Sequence, residues 1–454
     1  MAEFKLKRGY NLKIAGRSEK HLSETGIPEL VAVQPVEFPG IKPRLAVQVG
    51  DEVKIGSALF ADKIYADIKI VSPVSGKIVQ INRGERRVLT EIVVENNKKD
   101  DKEVTEPWNL NDIESKSRED IIAHLQKHGM WPLIKQRPFS KVAKPDILPR
   151  DIFIAGMDTS PLAADPNFLL QGEEENFQIG VNVLKKLTDG QVYLSYEGKN
   201  SQTAAAFQKA EGVQKNTFRG PHPAGNIGVQ IHHIKPIRHG EIVWCLTSYA
   251  VALIGKFIKA GYFQRERIVA TAGSVLKTRQ YYKTIIGAPL SMLIQPDQVK
   301  DTFVRFLSGN VLTGRQISST GYVSYYDNLI TVIPEGKKQR RLLGYFMPGL
   351  NTPSFSKTYM SSLIPKKEYE MDTLIHGGLR AFVQSGDYER VLPMNILPVY
   401  LIKSIMTDDV EEMEKLGILE LDEEDLALCS YICLSKTDFG SILRRGLNLI
   451  EKEG

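Results

Sequence analysis

HGMWPLIKQRPFSKVAKPDILPRDIFIAGMDTSP, residues 128–161, is the stretch whose reading decides the fold. Gly129 stops a helix, a basic and turn-rich loop follows, and an apolar strand over 151–157 runs into a second turn. A strand followed by a turn at this place is where a nucleotide-binding α/β domain carries its cofactor loop. Here Trp131, Pro132, Arg137 and Pro138 stand where closely spaced glycines would be needed. Bulky side chains keep a phosphate away from the backbone, and proline supplies no N–H. The stretch predicts a nucleotide-binding architecture without its phosphate cradle.

Downstream, strands expected over 191–196, 227–231 and 242–246 alternate with helices expected over 174–187, 204–207 and 249–260. That alternation argues for a parallel sheet with crossover helices, of the Rossmann type. From 267 to 336 the character changes to a small β-plus-helix domain. A strand over 267–272, an amphipathic segment over 281–287, a Ser-Gly-Asn turn within 304–312 and a hairpin turning at Tyr326-Asp327-Asn328 fit a β-grasp fold. Residues 347–398 read as irregular, and the last part of the chain is helical, with Asp408, Asp422 and Asp438 as caps.

Upstream, Ser117 with Asp120 makes a capping box for the helix that Gly129 ends, and 98–116 reads as a polar linker. Residues 31–95 are all-β in character. Val47-Gln-Val-Gly-Asp-Glu-Val-Lys-Ile-Gly56 and Val71-Ser-Pro-Val-Ser-Gly-Lys-Ile-Val-Gln-Ile81 are two halves that together resemble a biotinyl/lipoyl-type sandwich. Lys63 falls near the hairpin where such domains carry a swinging cofactor, but it lies ten positions before Pro73 and lacks the usual neighbours. A structural module with an exposed lysine is the expectation.

A chain of 454 residues exceeds one core and divides into roughly three or four domains. Its net charge of +5, from 59 basic and 54 acidic side chains, is too dispersed for a nucleic-acid partner. Three cysteines make no disulfide framework and suggest a reducing compartment, and the N-terminus has no apolar signal region. The longest apolar-leaning run, 242–255, contains Thr247 and Ser248 and falls short of the roughly 20 residues that a membrane span needs.

Walker, dinucleotide, nucleophile-elbow and H-E-x-x-H motifs are all absent from the sequence. His232 and His233, adjacent in an expected strand, point to opposite faces and cannot serve one metal. Cys429 and Cys433, four apart on a helix, read as small buried hydrophobes rather than cluster ligands. The basic loop offers more: Lys135, Arg137, Lys141 and Lys144 alternate with Trp131, Pro138 and Phe139. Aromatic faces beside fixed cations suit a flat ligand with polar edges, such as a quinone or flavin, by stacking and hydrogen bonds to carbonyl oxygens. The other reading of the loop is a basic surface packed at a domain or subunit boundary.

Several motifs agree in order: Lys7-Arg-Gly-Tyr-Asn-Leu-Lys-Ile-Ala-Gly16, Pro73-Val-Ser-Gly-Lys-Ile-Val, Asn82-Arg-Gly, Arg137-Pro-Phe-Ser-Lys141 and Met157-Asp-Thr-Ser-Pro-Leu-Ala-Ala-Asp-Pro166. Gly220-Pro-His-Pro-Ala-Gly225, Ser308-Gly-Asn-Val-Leu-Thr-Gly314 and Leu421-Asp-Glu-Glu-Asp-Leu-Ala-Leu-Cys429 continue them. From near residue 5 to its end the chain resembles the NqrA family, the A subunits of Na⁺-translocating NADH:quinone reductases. Leu434 departs from the family, which usually has proline after the second cysteine.

The resemblance implies an α/β and α+β multidomain chain. Its parts are a biotinyl/lipoyl-like β domain (1–97), a Rossmann-like α/β domain (98–262), a β-grasp, SLBB-like domain (263–345) and an irregular and helical C-terminal domain (346–454). It implies a peripheral subunit on the cytoplasmic side of the bacterial inner membrane, reaching the membrane only through partner subunits B to F. That respiratory-chain translocase oxidises NADH, reduces ubiquinone and exports Na⁺, while the isolated chain is not itself catalytic. The family is similar to the NADH- and flavin-binding subunit of respiratory complex I and to the C subunit of Rnf. No cofactor is expected in this chain; flavins, Fe–S centres, the NADH site and the ion path are expected in partners.

Ubiquinone is the ligand considered for this chain itself. Trp131 as a stacking wall, Arg137, Phe139 and Lys141 are its candidate residues, with Phe38 and Ile41 from a Pro/Gly-rich loop. The alternative is a purely structural docking role, as the cofactor-less relic of a complex I-type flavoprotein.

Overall fold

In the computed structural model, residues 1–198, 202–336, 348–363, 368–383 and 385–453 are described. The expected 345/346 domain boundary lies outside them.

The central layer is a seven-stranded sheet. Its order is Ala2–Lys5, Gln214–Arg219, Val192–Glu197, Ile152–Ala155, Val243–Thr247, Lys135–Arg137 and Lys141–Val142. The first five strands run parallel and the last two antiparallel. Ile152–Ala155 is buried at three of four positions, as a parallel strand covered on both faces requires. The helices Glu174–Lys186 and Ser248–Ala260 pack together over the sheet, with Gly180 and Gly255 allowing the close approach. A Cβ on Gly180 would overlap the Val251 carbonyl, and one on Gly255 the Asn176 carbonyl.

From Ile152–Ala155 the chain moves outward through the next two strands, then crosses back to lay Val243–Thr247 on the other side of its starting strand. That reversal leaves a crevice at the carboxyl ends of the two central strands, the ligand position of doubly wound sheets. The sheet thus bears out the expected α/β layer, parallel strands with crossover helices.

The β sandwich has four-stranded and three-stranded sheets. Its Val31, Leu59, Phe60, Val74 and Ile78 belong to one core with the α/β layer. Lys63 is exposed in a turn fixed by buried Asp62, whose carboxylate accepts the N–H groups of Lys42 (2.8 Å) and Tyr65 (3.1 Å). The β-grasp sheet has six strands around Glu266–Ala272, with its own core of Val269, Leu276, Leu290, Ile330 and Val332. The first residues of the chain bridge these units. Ala2–Lys5 closes one edge of the α/β sheet, and Leu22–Glu24 adds an edge strand to the β-grasp sheet beside Tyr281–Ile285.

Three local expectations are corrected, and one strand falls where none was expected. Residues 227–231 are not a strand but part of the helix Ile227–Ile234, because Val229 packs into the C-terminal helical core and helical spacing delivers it there. The polar segment Gln214–Arg219 is a strand between two parallel neighbours. The expected hairpin at 326–328 is absent: Leu329–Pro334 pairs antiparallel with Val304–Ser308 and parallel with Glu266–Ala272. The linker 98–116 holds a capped helix, Leu110–Ser115, with Asn109 and Asp112 closing a capping box. The other box stands as expected, Ser117 accepting from the Asp120 N–H and Asp120 from the Ser117 N–H.

Candidate functional site

The crevice opens into a cavity of about 680 Å³. Ala155 and Met157 come from one central strand and the turn after it; Cys245, Leu246 and Thr247 come from the other. The first turn of the Ser248–Ala260 helix, Tyr325 and Tyr326 of the β-grasp domain, and Asp422, Glu423, Glu424 and Arg444 of the C-terminal helices complete the wall. The sandwich contributes Pro39. All four units therefore meet here.

The basic loop faces inward, onto the C-terminal helices. Arg137 is 2% exposed. Its Nη1 donates to Asp425 Oδ2 at 3.2 Å and its Nη2 to Glu424 Oε1 at 2.8 Å, with Asp422 Oδ2 at 3.8 Å. Asp425 is wholly buried and also accepts from Asn226 Nδ2 at 3.2 Å. Arg444 joins the cluster through Glu423 (2.7 Å) and Asp422 (2.7 Å), and donates to the Phe139 carbonyl at 2.9 Å. Phe139 and Ser140 both take left-handed backbone, with φ of 80° and 52°, and the bond from Arg444 helps to hold that conformation. Lys141 pairs with Glu451.

Burial alone would lower the Arg137 pKa, but the carboxylates of Asp425, Asp422 and Glu424 outweigh it and hold the guanidinium charged. Burial raises Asp425, with Arg137 opposing. It would also raise Asp422, but hydrogen bonds and the Arg137 and Arg444 charges bring that carboxyl below the usual range. Four carboxylates share two guanidinium groups, so the cluster is stable only while both cations stay.

Of the residues chosen from sequence, Arg137 and Lys141 line the cavity. Trp131 does not: it is fully buried, gives its indole N–H to the Ala143 carbonyl at 2.8 Å and meets Trp244 edge-on at 5.3 Å. A tryptophan that finds a carbonyl partner is cheap to bury, so a Pro-rich loop does not keep it at the surface. Phe38 is also buried, its ring tilted against the cavity's tyrosines at 4.9 Å from Tyr325 and 5.7 Å from Tyr326. Ile41 is half-buried against the same core. Phe139 packs against the helical core and reaches the site through its carbonyl.

Distant stretches do converge. The Val142 N–H donates to the Pro39 carbonyl at 3.0 Å, which joins the loop of Phe38 and Ile41 to that of Arg137 and Lys141. Tyr326 OH donates to the Pro132 carbonyl at 2.9 Å, and Lys135 Nζ lies 4.4 Å over its ring. The residues missed in the sequence are Tyr249, Arg267, Tyr325, Tyr326 and the acidic cluster 422–425, all on other elements; no local spacing links them to the loop.

The histidine pair is packed. His232 Nε2 accepts the Asn395 N–H at 3.1 Å, which puts the proton on Nδ1, 2.8 Å from Glu420. His233 Nε2 meets the Pro393 carbonyl at 2.8 Å. Both rings tie the Ile227–Ile234 helix to the C-terminal domain. Cys429 and Cys433 are fully buried; Cys433 Sγ lies 3.1 Å from Tyr388 OH, and burial pushes the Cys429 thiol up. Leu434 is exposed just after the helix Glu423–Ile432 has ended. Among the described residues no helix is long and apolar enough to cross a membrane, and no group of three or more His, Cys, Asp or Glu side chains is arranged to hold a metal.

Three family profiles match the chain. An NqrA N-terminal barrel-sandwich hybrid domain covers residues 4–97, an NqrA second alpha/beta domain covers 116–263, and an NQRA C-terminal SLBB domain covers 268–319. The chain is 39% identical over 451 residues to the A subunit of the Na(+)-translocating NADH-quinone reductase of Yersinia pseudotuberculosis, covering 99% of this chain and 100% of that one. It is 38% identical to the protein of the same name from Saccharophagus degradans and 37% identical to that of Neisseria meningitidis serogroup B, at the same coverage. Among solved structures, an NAD⁺-reducing [NiFe]-hydrogenase chain in the air-oxidized state overlaps 77% of this chain and 66% of its own length, at 10% identity and a TM-score of 0.38.

Proposed function

The chain belongs to the NqrA family, and from that premise we propose that it acts as the A subunit of a Na⁺-translocating NADH-quinone reductase. In this reading it sits peripherally on the cytoplasmic side of the membrane, docked on subunits B to F. NADH oxidation, the flavin and Fe–S centres and the Na⁺ path belong to those partners. The residues themselves favour a cofactor-free subunit: Trp131 and Pro132, in the loop that lacks the glycines of a phosphate cradle, are buried, and the two C-terminal cysteines lie in a packed apolar core.

The chain's own contribution is to receive a quinone head group in the switch-point cavity. The observation that carries this is convergence: Arg137 and Lys141 line the cavity, Phe38 backs its tyrosine wall, and Tyr326 OH bonds the Pro132 carbonyl next to Trp131. Phe139 and Ile41 support the same loops. In chemical terms the wall offers aromatic faces to a planar ring and cationic N–H donors to its oxygens. The test is quenching of the intrinsic tryptophan fluorescence of the full chain by a short-chain ubiquinone, measured for wild type and Lys141→Ala. Saturable quenching at micromolar quinone that weakens in the variant is expected; no saturable response in either removes the quinone role.

One observation favours the purely structural alternative. The Arg137 guanidinium is engaged by three carboxylates of the same chain, which makes the basic loop an internal clasp rather than a free ligand surface. Under that reading, quinone leaves the fluorescence unchanged while the chain still co-purifies with membrane flavoproteins from gently solubilised membranes.

A further inference from the structure

At the end of the cavity away from the acidic cluster, one cation lacks a counter-charge among the described residues. Arg267 is 3% exposed and lines the cavity. Its Nη1 donates to the carbonyls of Gln264 (2.9 Å) and Glu266 (2.8 Å), and its guanidinium lies 5.6 Å over the Tyr325 ring. Its Nη2 is buried without a hydrogen-bond partner, and the nearby Glu266 carboxylate is turned instead to Lys256 and Lys283. The other buried or half-buried guanidinium groups of this cavity, those of Arg137 and Arg444, are matched by carboxylates. A buried cation without a counter-charge is costly, and burial accordingly lowers the Arg267 pKa.

A second, independent feature meets it there. The helix Ser248–Ala260, 13 residues long, starts at this wall, with Thr247, Ser248, Tyr249 and Ala250 all lining the cavity. Thr247 caps the Ala250 N–H, and the Ser248 N–H continues the ladder to the Ala155 carbonyl, while the Tyr249 N–H has no intrahelical acceptor. Tyr249 OH accepts the Ile268 N–H at 3.1 Å, which pins this first helical turn to the residue next to Arg267. Lys135 lines the same cavity and is held over Tyr326 by a cation–π contact, without a carboxylate partner among the described residues.

We propose that this end of the cavity is an oxyanion site, which takes the phosphate or carboxylate group of a small anionic ligand between Arg267 and the first turn of the Ser248–Ala260 helix. The oxyanion supplies the counter-charge that Arg267 lacks and accepts from the Tyr249 N–H at the helix start. The paired carboxylates of Asp422, Glu423 and Glu424 line the other part of the cavity and turn the anionic group toward the Arg267 end. The site goes beyond the quinone reading and stands apart from it, because a quinone brings no negative charge.

Calorimetric titration of the full chain with orthophosphate, pyrophosphate and succinate, at constant ionic strength set by NaCl, tests the proposal. Saturable binding of at least one is expected, and which one binds distinguishes phosphate from carboxylate ligands. Arg267→Met should weaken that binding by at least about tenfold, the loss of one charge-assisted contact. Lys135→Met is the second variant. It removes the other cation of the cavity that has no carboxylate partner among the described residues, and should weaken binding while the fold persists. No saturable binding of any of the three anions, or equal binding by wild type and both variants, overturns the site. Arg267→Met also separates ligand binding from a structural role: the unliganded variant should melt no lower than wild type, whereas an arginine needed only to hold the Gln264 and Glu266 carbonyls predicts a lower melting temperature and unchanged binding. Quinone quenching is read separately, so failure of either reading leaves the other standing.

Discussion

Replacing Arg137 by methionine should undock the C-terminal helices from the α/β layer. Methionine keeps most of the volume and removes the charge. Asp422 keeps its partner, because Arg444 Nη2 stays 2.7 Å from it. Glu424 has 38% of its side chain exposed, so water screens the loss there. Asp425 is fully buried and keeps only Asn226 Nδ2 at 3.2 Å and the Asp422 N–H at 3.0 Å. Breaking a buried pair from one side costs about 3–5 kcal/mol; with three ligands lost but only one carboxylate left dry, the lower end, about 3 kcal/mol, applies. Such a loss lowers the unfolding midpoint by roughly 6–12 °C for a domain of this class.

The assay is urea unfolding followed by tryptophan fluorescence, since Trp131 and Trp244 lie beside this clasp, with Trp244 paired to Gln136. A double-mutant cycle isolates the mechanism. Asp425→Asn leaves no buried charge for Arg137 to neutralise, so Arg137→Met/Asp425→Asn should recover most of the stability, with a coupling of about 2 kcal/mol or more. Additive losses would refute the clasp. The pH dependence has a definite sign. The Asp425 pKa is already raised by burial, and the variant raises it further, so the protonated form is favoured in the folded state and the deficit shrinks as pH falls.

Three further outcomes rest on the same geometry. Gly228→Ala puts a methyl onto Asp425 Oδ2 and Arg137 Nη1, and should cost about 2 kcal/mol, read by the same urea transitions. Trp131→Phe strands the buried Ala143 carbonyl and should lower stability by roughly 1–3 kcal/mol; an unchanged denaturation midpoint would put the indole N–H in water after all. His222 is buried, and burial lowers its pKa to about 4, below the ordinary value of 6.5. Its neutral form therefore contributes stability above pH 6.5 that is lost as pH falls toward 4, and His222→Gln should flatten the melting-temperature profile across that window.

The layers of this fold were legible because their signals are local. Ser117 and Asp120 cap a helix within four residues, and the run Ile152–Ala155 is too apolar to be anything but a covered strand. The helix Ile227–Ile234 was not legible, since Ile-Gly-Val-Gln-Ile has β-branched content and Asn226 makes no side-chain cap. Its helicity comes from docking Val229, His232 and His233 onto a domain built from the end of the chain. The strand Gln214–Arg219 hides for a related reason: Asn216, Thr217 and Phe218 are all buried, so it shows no polar and apolar alternation.

The loop at 128–161 supplied three basic cavity residues, Lys135, Arg137 and Lys141, in surroundings its own sequence does not reveal. A basic loop reads as solvated when its carboxylate partners lie 288 positions away, as Asp425 does from Arg137. Arg267 and the tyrosines at 325 and 326 have the same invisibility, because each sits in a strand or turn of ordinary local character. Only the topology brings them to the crevice.

The opening residues of the chain set a schedule for its biosynthesis. Ala2–Lys5 is made long before the strand it pairs with, Gln214–Arg219, and Leu22–Glu24 waits for Tyr281–Ile285. At about 5–20 residues per second, the ribosome delivers that second partner on the order of 10–50 s after Leu22–Glu24. During that interval both strand segments hang unpaired ahead of the sandwich, available to chaperones and to other nascent chains. A tag fused ahead of Met1 would extend the first of these segments beyond the sheet edge, so the affinity handle for any of these experiments belongs at the other end.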